Sequence, residues 1–119
     1  MTTLDVTLAQ ASAGTPILTL RGELDVSTAP QVEQALRQLE ENGTSAIVVD
    51  LRGLTFLDSS GLRLILEADG RARREDRRLL VVPGPPEVQR VFRVTLTDAR
   101  IEFVEDPLAI EPIEGGAGA

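Results

Sequence analysis

Residues 57–62, Leu57-Asp58-Ser59-Ser60-Gly61-Leu62, place hydroxyl and carboxylate groups where an apolar stretch gives way to a run with helical spacing. A serine at the start of a helix lies beside backbone N–H groups that have no intrahelical partner, at the positive end of the helix dipole. Such a position stabilises a phosphate group. Ser59 and Ser60 are therefore candidates for helix cap, nucleophile or phosphate acceptor.

The residue types that the chain lacks narrow this choice. It has no His, Cys, Tyr or Trp, and all 12 basic residues are arginines. A serine nucleophile needs a neighbouring base such as His or Lys, and general base catalysis at neutral pH would fall to carboxylates alone. We therefore expect no catalytic residues, no enzyme activity and no cofactor. Two interpretations of Ser59 stay open, the N-cap of the second helix and a phosphate acceptor.

Net charge and hydropathy limit the classes of partner and the cellular compartment that we expect. The net charge of −7 at pH 7 disfavours nucleic acid and anionic membranes as partners. No apolar run approaches the roughly 20 residues of a membrane helix, and the start lacks a signal-peptide pattern, so we expect a cytoplasmic protein. We also expect one domain over residues 1–113, a disordered tail over 114–119, and a monomer or weak dimer.

Apolar periodicity predicts an α/β order of β-β-α-β-α-β-α-β. The first two strands, over residues 4–8 and 17–24, are expected to form a hairpin, and Thr28 with Gln31 fits a capping box for the first helix. A continuous apolar run that ends at Leu51 indicates a central strand. We then expect a turn at 52–53, a second helix over about 59–72 and a solvated basic helix end over 71–78.

The remaining elements are predicted as a strand over residues 79–82, a third helix from Pro86 and an edge strand over 101–104. Repeated strand–helix–strand units imply right-handed crossovers and a mostly parallel sheet. Three helices are too few to cover both faces of such a sheet in a chain of 119 residues. The predicted fold is a four- to five-stranded, mostly parallel sheet with helices mainly on one face and an N-terminal β-hairpin.

A second group of carboxylates follows the second strand, in Gly22-Glu23-Leu24-Asp25. The carboxyl ends of parallel neighbours meet at one edge of a sheet, so these acids are expected near Asp58. The alternative to a binding site is a solvated strand end. A Mg²⁺ site formed by Asp25, Asp50 and Asp58 is a further alternative, since oxygen ligands suit that ion.

Three motifs together resemble a known family. They are Gly22-Glu23-Leu24-Asp25, then Ile47-Val48-Val49-Asp50-Leu51, then Phe56-Leu57-Asp58-Ser59-Ser60-Gly61-Leu62. At these spacings they resemble the STAS domain, and above all bacterial anti-sigma factor antagonists of the SpoIIAA type, over residues 4–110. The resemblance implies the STAS fold, which agrees with the predicted order of elements.

The resemblance also implies a mechanism of partner switching. The unphosphorylated antagonist binds an anti-sigma factor and frees a sigma factor. The anti-sigma factor is also a serine kinase, phosphorylation makes the antagonist dissociate, and a PP2C-type phosphatase restores it. By motif position Ser59 is the implied phosphorylation site. The implied partner-binding residues are Glu23, Asp25, Asp58, Ser60, Gly61, Leu62 and Arg63.

Two departures from the family pattern concern the third helix and the phosphorylation site. Family members usually have Thr/Ser-Gly-Leu at the end of the third helix, whereas this chain has Thr95-Leu96-Thr97 and lacks the glycine of a left-handed cap. Arg63 follows the serine motif and is a candidate for determining partner choice. Stand-alone STAS domains also serve in stressosome-like complexes and lipid-transporting ABC systems, and a scaffold role of that kind is the alternative function.

Overall fold

The computed structural model describes residues 3–11 and 13–106, in which strands and helices alternate. The elements are β1 (Leu4–Gln10), β2 (Pro16–Leu24), α1 (Ala29–Glu41), β3 (Ala46–Leu57), α2 (Ser59–Arg74), β4 (Arg78–Val82), α3 (Pro86–Val94) and β5 (Glu102–Phe103). The strands lie side by side in chain order. β1 and β2 pair antiparallel, and all later neighbours pair parallel. The predicted order and N-terminal hairpin are confirmed.

This strand order places the helices on one face of the sheet. Each helix connects a strand to the parallel strand beside it, and such crossovers are right-handed. Because the strands advance in one direction across the sheet, the crossovers fall on the same side. Buried side chains of all the helices accordingly share one apolar core with that face, including Val32, Leu36, Ile65, Val88 and Phe92. The predicted one-sided helix layer is confirmed.

Side chains of β3 alternate between the two faces of the sheet. Ile47 and Val49 lie in the main core beneath the helices, whereas Val48 belongs to a smaller apolar cluster. Since alternate residues of a strand point to opposite faces, Val48 and Asp50 lie on the face without helices. The other buried members of the smaller cluster are Ala11, Ile17, Leu80 and Val82.

β3 is longer than predicted, because it continues past Leu51 to Leu57. The turn predicted at residues 52–53 is therefore wrong. β2 extends beside this second half of β3, and the register shifts between Thr19 and Arg21 and again between Gly22 and Glu23. These shifts break the apolar periodicity of β3. Gly22 has φ +115°, and a Cβ there would lie 2.5 Å from the carbonyl oxygen of Thr3. Only glycine fits this close approach of β1 to β2.

The capping box predicted for α1 does not form. The N-cap residue, Thr28, makes no side-chain capping bond to the helix. Its Oγ1 donates instead to the carbonyl oxygen of Glu23 at 2.8 Å, and Gln31 Nε2 donates to the carbonyl oxygen of Leu4 at 3.1 Å. Both side chains thus fasten the start of α1 to the sheet.

The end of α2 is also different from the prediction. The helix continues to Arg74, and Arg71, expected in a solvated helix end, is buried. Its Nη2 lies 2.9 Å from Glu40 Oε2, and its Nη1 lies 3.5 Å from Glu33 Oε2, with both acids on α1. Hydrogen bonding to Glu40 is the main reason why the pKa of Arg71 is raised. This ion pair fastens α2 to α1.

α3 ends in a Schellman motif although the expected glycine is absent. Leu96 itself adopts the left-handed conformation, with φ +61°. Its N–H donates to the carbonyl oxygen of Arg93 at 3.1 Å, and the N–H of Thr97 donates to that of Phe92 at 2.9 Å. The helix exit thus keeps the usual hydrogen bonds at the conformational cost of a non-glycine residue.

The last strand, β5, is shorter than predicted, with only Glu102 and Phe103 in the ladder. Its main-chain pairing with β4 places it at the sheet edge, as expected. The tail predicted for residues 114–119, and the final part of the domain predicted over 1–113, lie outside the described residues.

Candidate functional site

The serine motif lies at the junction of β3 and α2. Asp58, and not Ser59, is the N-cap residue, so the cap interpretation of Ser59 is wrong. Asp58 Oδ1 accepts hydrogen bonds from the N–H groups of Ser60 at 2.9 Å and Gly61 at 3.1 Å. Ser59 is exposed, and its hydroxyl makes no hydrogen bond within the described part of the chain. The aspartate therefore caps the helix and leaves the Ser59 hydroxyl available.

A second aspartate organises the neighbouring turn between β2 and α1. Asp25 Oδ1 accepts hydrogen bonds from the Ser27 N–H at 2.9 Å, the Ser27 hydroxyl at 2.8 Å and the Thr28 N–H at 3.2 Å. The Thr28 hydroxyl in turn accepts from the N–H of Asp25 at 3.0 Å. Asp25 thus holds a short polar loop in one shape, as aspartates often do in turns.

The two aspartate turns meet at the carboxyl edge of the sheet. Leu24 and Leu57 are register partners in the parallel pairing of β2 with β3. The N–H of Asp58 donates to the carbonyl oxygen of Leu24 at 3.2 Å. Asp25 and Asp58 therefore follow adjacent strand ends, and the predicted proximity of the two motifs is confirmed.

Glu23 differs from the two aspartates in the direction of its side chain. It pairs with Phe56, and each of these residues precedes a leucine of the main core. Because strand residues alternate between faces, Glu23 and Phe56 lie on the face without helices. Glu23 is thus at the same edge as Ser59 but on the other face of the sheet.

Gly61 and Leu62 are both buried. A Cβ on Gly61 would lie 2.6 Å from Leu57 Cδ1 and 2.7 Å from Leu24 Cγ, so glycine lets α2 pack closely on both strand ends. Leu62 is only 7% exposed. These two residues position the helix and leave little surface for a partner, whereas half-buried Ser60 and exposed Arg63 are accessible.

Sequence reasoning missed two exposed apolar residues beside this edge. Val26, in the loop that Asp25 holds, is 71% exposed, and Phe56, near the end of β3, is 46% exposed. Val26 lies between polar residues in a turn, where a buried apolar residue is not expected, so its exposure could have been predicted from the sequence. The exposure of Phe56 could not have been predicted, because the face of the sheet on which it lies depends on the irregular register of β2 with β3.

The alternative of a Mg²⁺ site does not agree with the geometry. Asp50 is buried on the helix-free face, part-way along β3, and its Oδ2 accepts from Arg52 Nη2 at 2.9 Å. This hydrogen bond is the main cause of a raised pKa at Arg52. Eight residues of strand from Asp50 to Asp58 correspond to about 26 Å. Among residues 3–11 and 13–106, no three acids, histidines or cysteines are grouped to hold a metal.

The matching family model bears the description "Mlab, STAS domain" and covers residues 7–104. The chain belongs to the STAS domain family. Within the described residues, this STAS domain contains no helix with the length and apolar character needed to cross a membrane. Sequence and structural relatives of the domain are named as anti-sigma factor antagonists.

One sequence relative of this STAS protein is the anti-sigma-B factor antagonist of Staphylococcus aureus (strain NCTC 8325). It is 32% identical over 74 residues, which are 62% of this chain and 68% of the relative. A similar solved structure is the anti-sigma factor antagonist from Mycobacterium paratuberculosis, with a TM-score of 0.78, 25% identity and 87% of each chain covered. These matches confirm the resemblance to anti-sigma factor antagonists.

SpoIIAA, a Bacillus cell fate determinant, has the same fold. Its unphosphorylated form matches with a TM-score of 0.72 and 21% identity, over 86% of this chain and 90% of that one. Its phosphorylated form matches with a TM-score of 0.66 and 20% identity, over 86% and 93% of the two chains. At these identities the likeness shows the fold alone.

Proposed function

We propose that this STAS protein is an anti-sigma factor antagonist controlled by phosphorylation of Ser59. Its unphosphorylated form binds an anti-sigma factor that is also a serine kinase, and this binding frees a sigma factor. Phosphorylation of Ser59 releases the antagonist, and a PP2C-type phosphatase restores it. The kinase requires ATP, so the proposed setting is the cytoplasm.

The state of the Ser59 hydroxyl is the observation that carries the proposal. It is exposed at the first position of α2, without a hydrogen bond in the described part of the chain, while Asp58 provides the helix cap. A phosphate on Ser59 therefore breaks no bond of the folded protein. The helix N-terminus stabilises that phosphate locally, so modification changes the surface and leaves the fold intact.

Phosphorylation of Ser59 requires no catalytic group from this chain. The Ser59 oxygen attacks the γ-phosphorus of ATP, the bond to the β–γ bridging oxygen breaks, ADP leaves, and the hydroxyl proton passes to a base of the kinase. The chain has no His, Cys, Lys or Tyr to act as a general base. It is accordingly proposed as the substrate in this reaction and not as an enzyme.

The charge, hydration and bulk of the phosphate account for release. A phosphoserine adds about −1.5 to −2 charges at pH 7. Asp25 and Asp58 already follow the adjacent strand ends beside Ser59. Covering the phosphate beside these two carboxylates with a partner would cost desolvation and like-charge repulsion at low dielectric, and the bulk of the phosphate would hold the two surfaces apart.

The first test is phosphorylation of the purified chain by a serine-kinase anti-sigma factor from the same genome, followed by peptide mass spectrometry. Wild type and Ser60→Ala should each gain one phosphate on Ser59, and Ser59→Ala should gain none. Ser60 is the matched control because it lies next to Ser59 and only its N–H contacts the cap. Equal phosphorylation of Ser59→Ala would show that the acceptor is another residue.

The second test is binding of the same anti-sigma factor by isothermal titration calorimetry. Ser59→Ala should bind as wild type does, and Ser59→Asp should bind about tenfold more weakly or worse, because a third carboxylate must be desolvated beside Asp25 and Asp58 when the partner covers it. Equal affinity of Ser59→Asp and wild type would argue against the switch. Co-purification with a permease and an ATPase, without a phosphopeptide over residues 57–63, would favour the alternative scaffold role.

A further inference from the structure

The outer face of α2 carries an arginine-lined depression of about 570 Å³. We define it as the arginine surface, formed by Arg37, Arg63, Glu67, Gly70, Arg74 and Arg100, with buried Arg71 beneath it. The chain as a whole has a net charge of −7, yet five of its 12 arginines line this one depression. Such a concentration of positive charge in an acidic protein marks a distinct surface.

The arginines of this surface fall into two groups. Arg71 is engaged by Glu40 and Glu33 of α1, and Arg37 Nε lies 2.7 Å from Glu33 Oε2. In contrast, Arg63, Arg74 and Arg100 take part in no ion pair among the described residues. These three exposed guanidinium groups have donors available for carboxylates or phosphates.

Gly70 indicates that the depression serves contact with another molecule. A glycine in a helix interior costs about 1 kcal/mol relative to alanine, so its presence calls for a packing reason. The described residues offer no such reason, because among them a Cβ on Gly70 would approach only Arg74 Nη1, at 3.4 Å. The missing side chain instead lowers the floor of the depression among the arginines.

The spacing of the charges selects the kind of ligand. Arg63 and Arg74 are separated by about 16 Å along the helix, which is more than one small anion can bridge. Exposed Glu67 lies between them and would repel a continuous polyphosphate or nucleic acid. A protein segment can place carboxylates opposite the arginines and a neutral or basic side chain opposite Glu67.

We infer that the arginine surface binds an acidic segment of the same anti-sigma factor that contacts Ser59. This inference rests on the proposed function. Arg63 lies one helical turn beyond Ser59, so the arginine surface adjoins the proposed phosphorylation site. The partner thus meets an acidic edge at one end of α2 and a basic surface along its length. That change from negative to positive charge along α2 fixes the orientation in which the partner binds.

The test compares two triple variants in binding to the anti-sigma factor that phosphorylates Ser59. Arg63→Gln/Arg74→Gln/Arg100→Gln should weaken binding about tenfold at roughly 50 mM salt, and the difference should shrink at about 0.5 M salt because of screening. The matched control, Arg21→Gln/Arg90→Gln/Arg93→Gln, removes the same charge from exposed positions elsewhere. It should change the dissociation constant less than about twofold.

A change at Gly70 tests the shape of the surface separately from its charge. Gly70→Leu should keep or raise the melting temperature, because leucine favours helix, and should still weaken binding about tenfold by filling the depression. Equal low-salt affinity of the two triple variants would overturn the inference. Competition with the anti-sigma factor by an RNA or polyphosphate, lost in the first triple variant, would instead assign the surface to a polyanion.

The two proposals fail in different ways. If Ser59→Asp weakens binding and the arginine variants do not, the Ser59 switch stands and the arginine surface is wrong. If the arginine variants weaken binding and Ser59→Asp does not, the surface is confirmed and the switch is wrong.

Discussion

The N–H of Asp58 donates to the carbonyl oxygen of Leu24 at 3.2 Å, which joins the last residue of β2 to the first residue after β3. Leu24 and Leu57 are partners in the same parallel register. The loops that follow, each held by hydrogen bonds to its own aspartate, therefore begin at one point on the sheet edge. Two motifs that are far apart in the sequence thereby form one surface.

Replacement of Gly61 by alanine tests the packing of α2 on this junction. The added Cβ would lie 2.6 Å from Leu57 Cδ1 and 2.7 Å from Leu24 Cγ, inside a packed core. We expect Gly61→Ala to lower the free energy of unfolding by about 1–3 kcal/mol, measured by urea denaturation.

Gly70→Ala is the matched control on the same helix. Its Cβ would meet only the end of the flexible Arg74 side chain. This variant should be more stable than wild type by up to about 1 kcal/mol. A loss of stability as large as that of Gly61→Ala would mean that close packing does not explain the need for Gly61.

Two substitutions at Asp58 separate its capping role from its charge. Asp58→Ala removes the acceptor for the N–H groups of Ser60 and Gly61, and should cost about 1 kcal/mol of stability. Asp58→Asn retains a capping oxygen and should unfold close to wild type. If both variants lose stability equally in chemical denaturation, the negative charge is more important than the cap.

Leu96 offers a stabilising substitution. It holds a left-handed backbone conformation while its side chain is 83% exposed, so a glycine there would relieve strain and lose little burial. Leu96→Gly should raise the free energy of unfolding by about 1 kcal/mol. Leu96→Ala is the control, because alanine keeps a Cβ in the same conformation and should not stabilise. Thermal melts of both variants decide between relief of strain and removal of an exposed side chain.

The ion pair between Arg71 and Glu40 is expected to be important for the packing of α1 on α2. Their side chains are 10% and 9% exposed, so Arg71→Gln would leave Glu40 with an uncompensated buried charge. We expect a loss of about 3 kcal/mol in the free energy of unfolding. Arg71→Met/Glu40→Leu should recover most of this loss, because it removes both charges.

Arg37→Gln is the comparison for that experiment. Arg37 also bonds an acid of α1, Glu33, but its side chain is 55% exposed. Its loss should cost less than about 1 kcal/mol. Similar losses for Arg37→Gln and Arg71→Gln would contradict the argument from burial.

Much of the fold was predictable from local patterns. The alternation of apolar runs with helical periodicity gave the order of elements, and the small number of helices indicated that only one face of the sheet would be well covered. The register irregularities around Gly22 were not predictable, because a bulge breaks the periodicity on which strand prediction depends. As a result, the extension of β3 to Leu57 and the outward position of Phe56 were missed.

The sequence by itself determined the residue types at the site and the absence of His, Lys or Cys to activate Ser59, and it predicted the proximity of Asp25 to Asp58. Only the tertiary structure decided that Asp58 caps α2, that Gly61 is buried against Leu24, and that Arg71 is buried against α1. Composition and spacing can be read directly from the sequence. Capping and burial depend on which side chains the fold brings within reach of the same backbone N–H groups and core positions. The availability of the Ser59 hydroxyl follows from that competition, because Asp58 occupies the capping position.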